Sequence, residues 1–271
     1  MPRVVTQHDI QQALRSLGVA GSPVCVHASL RSFGAVAGGA TSLIDAFLHE
    51  QCTLLVPSFS WSFAVPPPPE QHFPRNGWNY ATYGGPTAGL RRIYTPRTTD
   101  IDRAMGALAM AVAAHPDRIR GQHPLCSFSA LGRHASELIA AQRPDDVYAP
   151  LMTLIRLNGL VLLIGVGLDK LTLLHLAEKE AGRRLFRRWA NNRDGQPIAV
   201  EVGGCSAGFG KLEAELQAVT LMVGQSVWKL LGARSTLARA IAAIRANPEI
   251  THCGDPTCER CNDAVAGGPL L

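Results

Sequence analysis

The sequence has no apolar run long enough to cross a bilayer. Its longest stretches, Leu160 to Leu168 and Ala107 to Ala114 with their neighbours, reach about nine residues, whereas a span needs ~18 or more. The opening residues, Met1-Pro2-Arg3-Val4-Val5-Thr6-Gln7-His8-Asp9, lack the apolar core of a secretory leader. A cytoplasmic location is therefore expected. Nucleotide fingerprints are missing as well. There is no Walker loop, and Gly165-Val166-Gly167 is followed by Lys170 where a G-x-G-x-x-G pattern needs glycine. Those absences disfavour a P-loop nucleotidase and a Rossmann dehydrogenase. Neither an H-E-x-x-H zincin pattern nor an H-G-G-G oxyanion segment occurs.

What is present is ordinary globular material. The 271 residues are 46% hydrophobic and 17% charged, enough to bury a sizeable core and too apolar for wholesale disorder. The net charge is +5. Its densest basic cluster is Arg183, Arg184, Arg187, Arg188 and Arg193, which reads either as a solvated face or as a site for an anionic ligand. Seven cysteines form an odd set, so a disulfide framework is not expected in the cytosol. Cys25, Cys52 and Cys126 lie in apolar segments and read as buried small hydrophobes.

Period and punctuation predict an alternation of strands and helices, hence an α/β fold with a parallel unit. Helices are expected at Ile10–Leu17, about Thr41–Glu50, Asp102–Ala114, Ala135–Gln142, about Leu171–Ala181, Phe209–Leu231 and Thr236–Ala246. Strands are expected at Val24–His27, Thr53–Pro57, Leu125–Ala130, Leu160–Val166, Leu185–Ala190 and Pro197–Val202. Four consecutive prolines, Pro66 to Pro69, exclude a regular element. Residues 62–85 therefore read as a long irregular loop, and Phe73, Trp78 and Tyr80 suggest that it packs. No composition break divides the chain, so residues 1–271 form one domain in this reading, with a cysteine-rich tail at 252–264.

Three constellations could carry chemistry. His175 and Glu178 stand three apart on a predicted helix and share a face. An imidazole oriented by a carboxylate is what a general base needs. That helix follows the strongest strand through Gly165-Val166-Gly167, where α/β sheets bind ligands. Gly204-Cys205-Ser206-Ala207-Gly208 fits a nucleophile elbow, but the later Asp/Glu-then-His order is poorly supplied and no further strand is expected. Cys253, Cys258 and Cys261 have spacing suited to tetrahedral zinc, with Cys205 or His252 as fourth ligand.

Taken together, short blocks in order resemble the aminoglycoside 3-N-acetyltransferases, the antibiotic N-acetyltransferase family. They are Val26-His27-Ala28-Ser29-Leu30-Arg31-Ser32-Phe33-Gly34 with Gly38-Gly39, then Pro57-Ser58-Phe59-Ser60-Trp61, and Met105-Gly106-Ala107-Leu108. His123-Pro124 with Ser127-Phe128, Gly159 to Gly167, Leu174-His175-Leu176-Ala177-Glu178 and Gly203-Gly204-Cys205-Ser206 follow. The resemblance implies a single α/β domain with a central mixed sheet flanked by helices, unlike the GNAT acetyltransferases. It implies direct acetyl transfer from acetyl-coenzyme A to an amine. By motif match, His175 is the base, Glu178 its orienting carboxylate, and Asp145 a third acidic member. Ser29, Leu30, Arg31, Ser32, Phe33, Gly34, Met105 and Gly106 correspond to cofactor-binding positions. His123 and Glu201 correspond to substrate-binding ones, and the C-terminal cysteines resemble a tail present in a subset of the family; by their spacing, Cys205, Cys253, Cys258 and Cys261 are the expected ligands of a structural zinc. Amides near Gly38 and Gly39 are expected to hold coenzyme A phosphates.

The implied partners are coenzyme A and a small-molecule amine, with neither nucleic acid nor membrane, and a homodimer is compatible with the reading. The acceptor is an aminoglycoside or another small amine of biosynthesis. The rival class is a zinc-stapled binding module without catalysis.

Overall fold

The computed structural model describes residues 3–82 and 85–271. Tyr83 and Gly84, at the end of the expected irregular loop, lie outside the described residues. The chain opens with α1 (Gln7–Ser16), β1 (Pro23–Ala28), α2 (Gly39–His49), β2 (Thr53–Pro57) and β3 (Ala64–Val65). It continues with α3 (Gly106–Ala114), β4 (Ile119–Arg120), β5 (Phe128–Leu131), α4 (Ala135–Ile139), α5 (Ala149–Arg156), β6 (Leu160–Ile164) and α6 (Leu173–Glu180). The last third holds β7 (Phe186–Asn191), β8 (Pro197–Val202), β9 (Val219–Val223), β10 (Ser226–Gly232), α7 (Ala233–Ala246) and α8 (Glu259–Val265).

Seven strands form a mixed sheet in the order β4-β5-β2-β1-β6-β10-β9. Its centre, β2-β1-β6, is parallel, and the flanking pairs are antiparallel. Both faces are covered, so the central strands are apolar on both sides. Val24, Val26, Leu54, Val56, Leu162 and Ile164 join one core cluster, with residues of α1, α2 and α3. Cys25, Leu55, Val161 and Leu163 alternate with them into the other, with residues of α4 to α7. The period of two assigns each residue its face. Cys25, Cys52 and Cys126 are buried thiols. A second, three-stranded sheet pairs β3-β7-β8 antiparallel.

The irregular loop packs where described. Phe73 and Trp78 stack near Trp189 of β7. Buried Asn76 bonds both backbone groups of Arg187.

Helix α4 ends at Ile139 and α7 starts at Ala233, three residues short of and three before the expected bounds; α5 and α8 lie where no helix is expected, and β3 lies within the expected irregular loop at 62–85. Three further differences have a local cause. The helix expected over Phe209–Leu231 is instead a short 3-10 turn at Phe209–Leu212 and the β9–β10 hairpin. The pattern Val219-Thr220-Leu221-Met222-Val223-Gly224-Gln225-Ser226-Val227-Trp228 carries the reason. Its β-branched residues favour a strand, and Gly224 at φ +60° opens a two-residue turn. Two strands thus follow the elbow-like pentapeptide after all. The helix expected from Asp102 starts at Gly106, where φ +84° breaks the preceding 3-10 turn. The strand expected from Leu125 starts at Phe128, because His123 Nδ1 draws the N–H groups of Leu125 and Cys126 into a tight turn.

Candidate active site

A cavity of about 820 Å³ opens at the carboxyl ends of the parallel strands. The end of β1 and the turn after it contribute Val26 to Arg31, β2 contributes Pro57, and the turn after β6 contributes Gly165 to Gly167. The third wall is Arg103 to Ala109, the start of α3. His175, from the first turns of α6, lies in the lining together with Ser206.

His175 donates from Nδ1 to Glu178 Oε2 at 2.9 Å. That bond places the proton on Nδ1 and leaves Nε2 with a free lone pair. The imidazole meets the Phe209 ring at a tilt of 60°, with ring centroids 4.8 Å apart, and lies parallel to Tyr148 at 6.3 Å. Gly203 approaches so closely that a Cβ there would lie 2.7 Å from the ring. Glu178 is itself buried. Its second oxygen accepts from Arg183 Nη1 at 2.6 Å and from Thr251 Oγ1 at 3.1 Å. Arg183 Nη1 also reaches Thr251 Oγ1 at 2.7 Å, and Nη2 donates to the Pro248 carbonyl. Arg183 and Thr251 carried no signal in the sequence as members of this network. Arg183 sits within a run of arginines, and Thr251 lies 73 residues beyond Glu178, so neither spacing marks the network.

The profile of the aminoglycoside 3-N-acetyltransferase family matches residues 25–246. The chain belongs to this family. It is 37% identical over 190 residues to aminoglycoside N(3)-acetyltransferase IX of Micromonospora chalcea, covering 68% of this chain and 65% of the relative. It is 35% identical over 181 residues to aminoglycoside N(3)-acetyltransferase VII of Streptomyces paromomycinus, covering 64% and 60%. The aligned stretch thus spans slightly less than two thirds of either relative's length. The crystal structure of the aminoglycoside acetyltransferase AAC(3)-IVa apoenzyme superposes with a TM-score of 0.77 at 25% identity, over 98% of this chain and 99% of that one.

The positions carried over from the acetyltransferase family by sequence divide into those around the cavity and those away from it. Ser29, Leu30, Arg31, Met105 and Gly106 line it. Ser32, Phe33 and Gly34 do not: Ser32 Oγ bonds the Ser29 carbonyl and Ser226 Oγ, and Phe33 is buried edge-on to Trp228. Gly38 and Gly39 are also outside the lining. Gly38, at φ +73°, is the N-cap of α2, and a Cβ there would clash with Ser42. Among the described residues, the helix N-termini that do reach the cavity are those of α3, at Gly106 to Ala109, and α6, whose N-cap Thr172 lines it beside Leu171.

Asp145 is exposed at the tip of a turn closed by Arg143 and Asp146, and it borders a separate depression with Asp146, Lys179 and Glu180. The third partner of the His175–Glu178 pair is Arg183 in its place. His123 is fully buried. Its Nε2 donates to the Glu201 carbonyl at 2.7 Å, and its Nδ1 accepts two backbone N–H groups. Both nitrogens are thus committed to the backbone, and burial pushes its pKa down to about 4. Glu201 is buried with its carboxylate between Lys179 at 2.8 Å and Arg187 at 3.2 Å. Of the arginine cluster, Arg183 and Arg187 are ion-paired and Arg188 stacks 3.8 Å over Trp78. These three serve internal packing, so neither a solvated face nor an anion site describes the whole cluster.

Cys205, Cys253, Cys258 and Cys261 bring their sulfurs within 4.8 Å of one another. A thiolate quartet of that size suits tetrahedral Zn²⁺ with Zn–S bonds of ~2.3 Å. His252 is excluded from the group by its own bonds: Nε2 meets Asn262 Oδ1 at 2.9 Å and Nδ1 accepts the Gly254 N–H at 3.0 Å. Ser206 lines the cavity, but among the described residues no hydrogen bond joins it to His175, and it is followed by a 3-10 turn rather than a helix. No helix among the described residues is long and apolar enough to cross a membrane.

Proposed function

We propose that this chain transfers the acetyl group of acetyl-coenzyme A directly to an amine, with the 3-amine of an aminoglycoside as acceptor. The observation that carries the reading is the His175–Glu178 pair, with the partly exposed imidazole on the wall of the cavity and the buried carboxylate behind it. A neutral amine bound beside the thioester attacks the carbonyl carbon. His175 Nε2 takes the amine proton as the N–C bond forms. The tetrahedral species then expels the coenzyme A sulfur, which receives that proton from the imidazolium. Glu178 stabilises the imidazolium, and Arg183 and Thr251 keep the carboxylate in place.

The cofactor's anionic groups fit the start of α3, whose first amides face the cavity beside Arg31 and Arg103. Gly106 allows that approach: its φ is +84°, and a Cβ would come within 3.2 Å of the Ala28 carbonyl. The four-thiol group is read as a structural zinc site.

A second acceptor class is favoured by one feature. Glu201, the carboxylate carried over for a cationic substrate, is already neutralised by Lys179 and Arg187. A less highly charged small amine would then be preferred. Thiol release from acetyl-coenzyme A, assayed with a panel of aminoglycosides and simple amines, separates the two. Thiol release that no amine stimulates would exclude transfer to an amine. His175→Ala should lower kcat by ~10²–10⁴ with coenzyme A affinity unchanged by calorimetry.

A further inference from the structure

The two segments that carry the cysteine cluster touch the His175–Glu178 pair from two directions. Thr251, which donates to Glu178 Oε1, stands two residues before Cys253. Gly203, which packs on the His175 ring, stands two residues before Cys205. The two segments are also fastened to each other. Gly208 lies so close to the backbone of Thr251 and His252 that a Cβ would come within 2.3 Å of the Thr251 carbonyl, and Lys211 Nζ donates to the His252 carbonyl at 2.7 Å. Cys205 belongs to the first segment, and Cys253, Cys258 and Cys261 to the second. A tetrahedral ion on the four sulfurs would therefore close a ring running from His175 through Gly203, the metal and Thr251 to Glu178.

We propose that a Zn²⁺ ion held by Cys205, Cys253, Cys258 and Cys261 positions the catalytic pair, with Thr251 as the residue through which it acts. The donor set suits this. All four thiols are free, the Cys253 N–H points at Cys261 Sγ at 3.4 Å, and Gly254 at φ +92° makes the sharp turn after the second ligand. Binding releases the thiol protons to solvent and fills every coordination position, so the ion supplies no chemistry of its own. Thr251 does not touch substrate. It fixes the rotamer of Glu178, and through it the imidazole, by sharing that oxygen with Arg183.

The inference rests on the acyl-transfer reading, and the experiment keeps the two apart. Purified full-length protein is analysed for zinc, then depleted with a chelator and reloaded with ZnCl₂, and kcat and KM for acetyl-coenzyme A are followed with the best amine. About one zinc per chain is expected. Depletion should lower kcat ~10-fold or more, leave that KM within about threefold, and be reversed by zinc. Because the depleted protein could unfold, Thr251→Val is measured with zinc retained. It should reproduce the fall in kcat at unchanged metal content, and Thr251→Ser, which restores the hydroxyl, should recover most of it. Protein without zinc, or with the cysteines paired as disulfides, overturns the metal site. Full kcat in folded, zinc-loaded Thr251→Val overturns the coupling. A wild-type enzyme whose thiol release no amine stimulates overturns the acyl-transfer reading instead, and does so while zinc content still reports on the site.

Discussion

Glu178 divides its carboxylate between the His175 imidazole and the scaffold: Oε2 meets His175 Nδ1 at 2.9 Å, while Oε1 is held by Arg183 at 2.6 Å and by Thr251 at 3.1 Å. The histidine is thus oriented by a carboxylate that cannot turn. Glu178→Gln keeps the shape and removes the charge. A glutamine amide can present N–H to Nδ1, which moves the imidazole proton to Nε2 and blocks it as a base. Loss of tautomer control of this kind costs up to ~10⁴ in kcat, so a fall of at least ~10-fold is expected in thiol-release assays. Wild-type turnover in folded Glu178→Gln would remove the carboxylate from the mechanism.

Arg183 is the buried counter-charge of that pair. Its side chain is 8% exposed and has three oxygen partners in Glu178, Thr251 and Pro248. Arg183→Met leaves the Glu178 carboxylate buried with one charge partner fewer. Breaking a buried ion pair from one side costs ~3–5 kcal/mol, and urea denaturation should show a loss of that order. Arg183→Lys should rescue only part of it, because an ammonium cannot span the same three acceptors in one plane. Stability unchanged in Arg183→Met would show that the pair does not support the fold.

The fold was legible where the pattern was local. Thr53–Pro57 and Pro197–Val202 match the structure residue for residue, since continuous or alternating apolar runs between turns have one reading. The hairpin Val219–Gly232 was hidden because the residues before it, Lys211 to Gln217, have helix-forming composition and drew the whole segment into one helix. At the site, His175 and Glu178 could be paired from their spacing alone, because residues three apart on a helix must meet. Arg183, five residues beyond Glu178, and Thr251, 73 residues beyond it, could not: only the packing of the C-terminal segment under α6 brings them together. Asp145 shows the converse. Its place before Tyr148-Ala149-Pro150 matched a family position, but a two-residue turn carries its side chain to solvent.

Gly203 tests how tightly the imidazole is confined. Its φ is not in the left-handed region, so alanine suits the backbone there. A Cβ would nevertheless lie 2.5 Å from Tyr148 Oη and 2.7 Å from the His175 ring. Gly203→Ala must push one of them aside. Overpacking of this kind costs ~1–3 kcal/mol, and the strain falls on the His175 ring. We expect kcat to drop by about tenfold or more, in line with a misplaced catalytic group, while the protein remains folded by circular dichroism. A variant with normal kcat and normal stability would mean that the ring has room to move and that Gly203 is dispensable.

Two buried histidines make the fold acid-sensitive. Burial pushes the pKa of His27 and of His123 from 6.5 down to about 4. Each is therefore neutral in the folded chain at pH values where the unfolded chain would take up a proton. The folded state binds fewer protons, so the stability they contribute is complete above pH 6.5 and is lost as pH falls from there towards 4. A depression of that size amounts to about 3 kcal/mol for each histidine. Urea unfolding at pH 7.5, 6.5, 5.5 and 4.5 should show a steady fall across the window. His27→Gln cannot protonate and removes one of the two contributions, while His123, sealed by its three backbone partners, keeps the other. The difference in stability between the wild type and His27→Gln should then shrink or change sign as the pH falls, by an amount on the order of 3 kcal/mol. A difference that stays constant over the whole window would show that His27 is not buried in its neutral form.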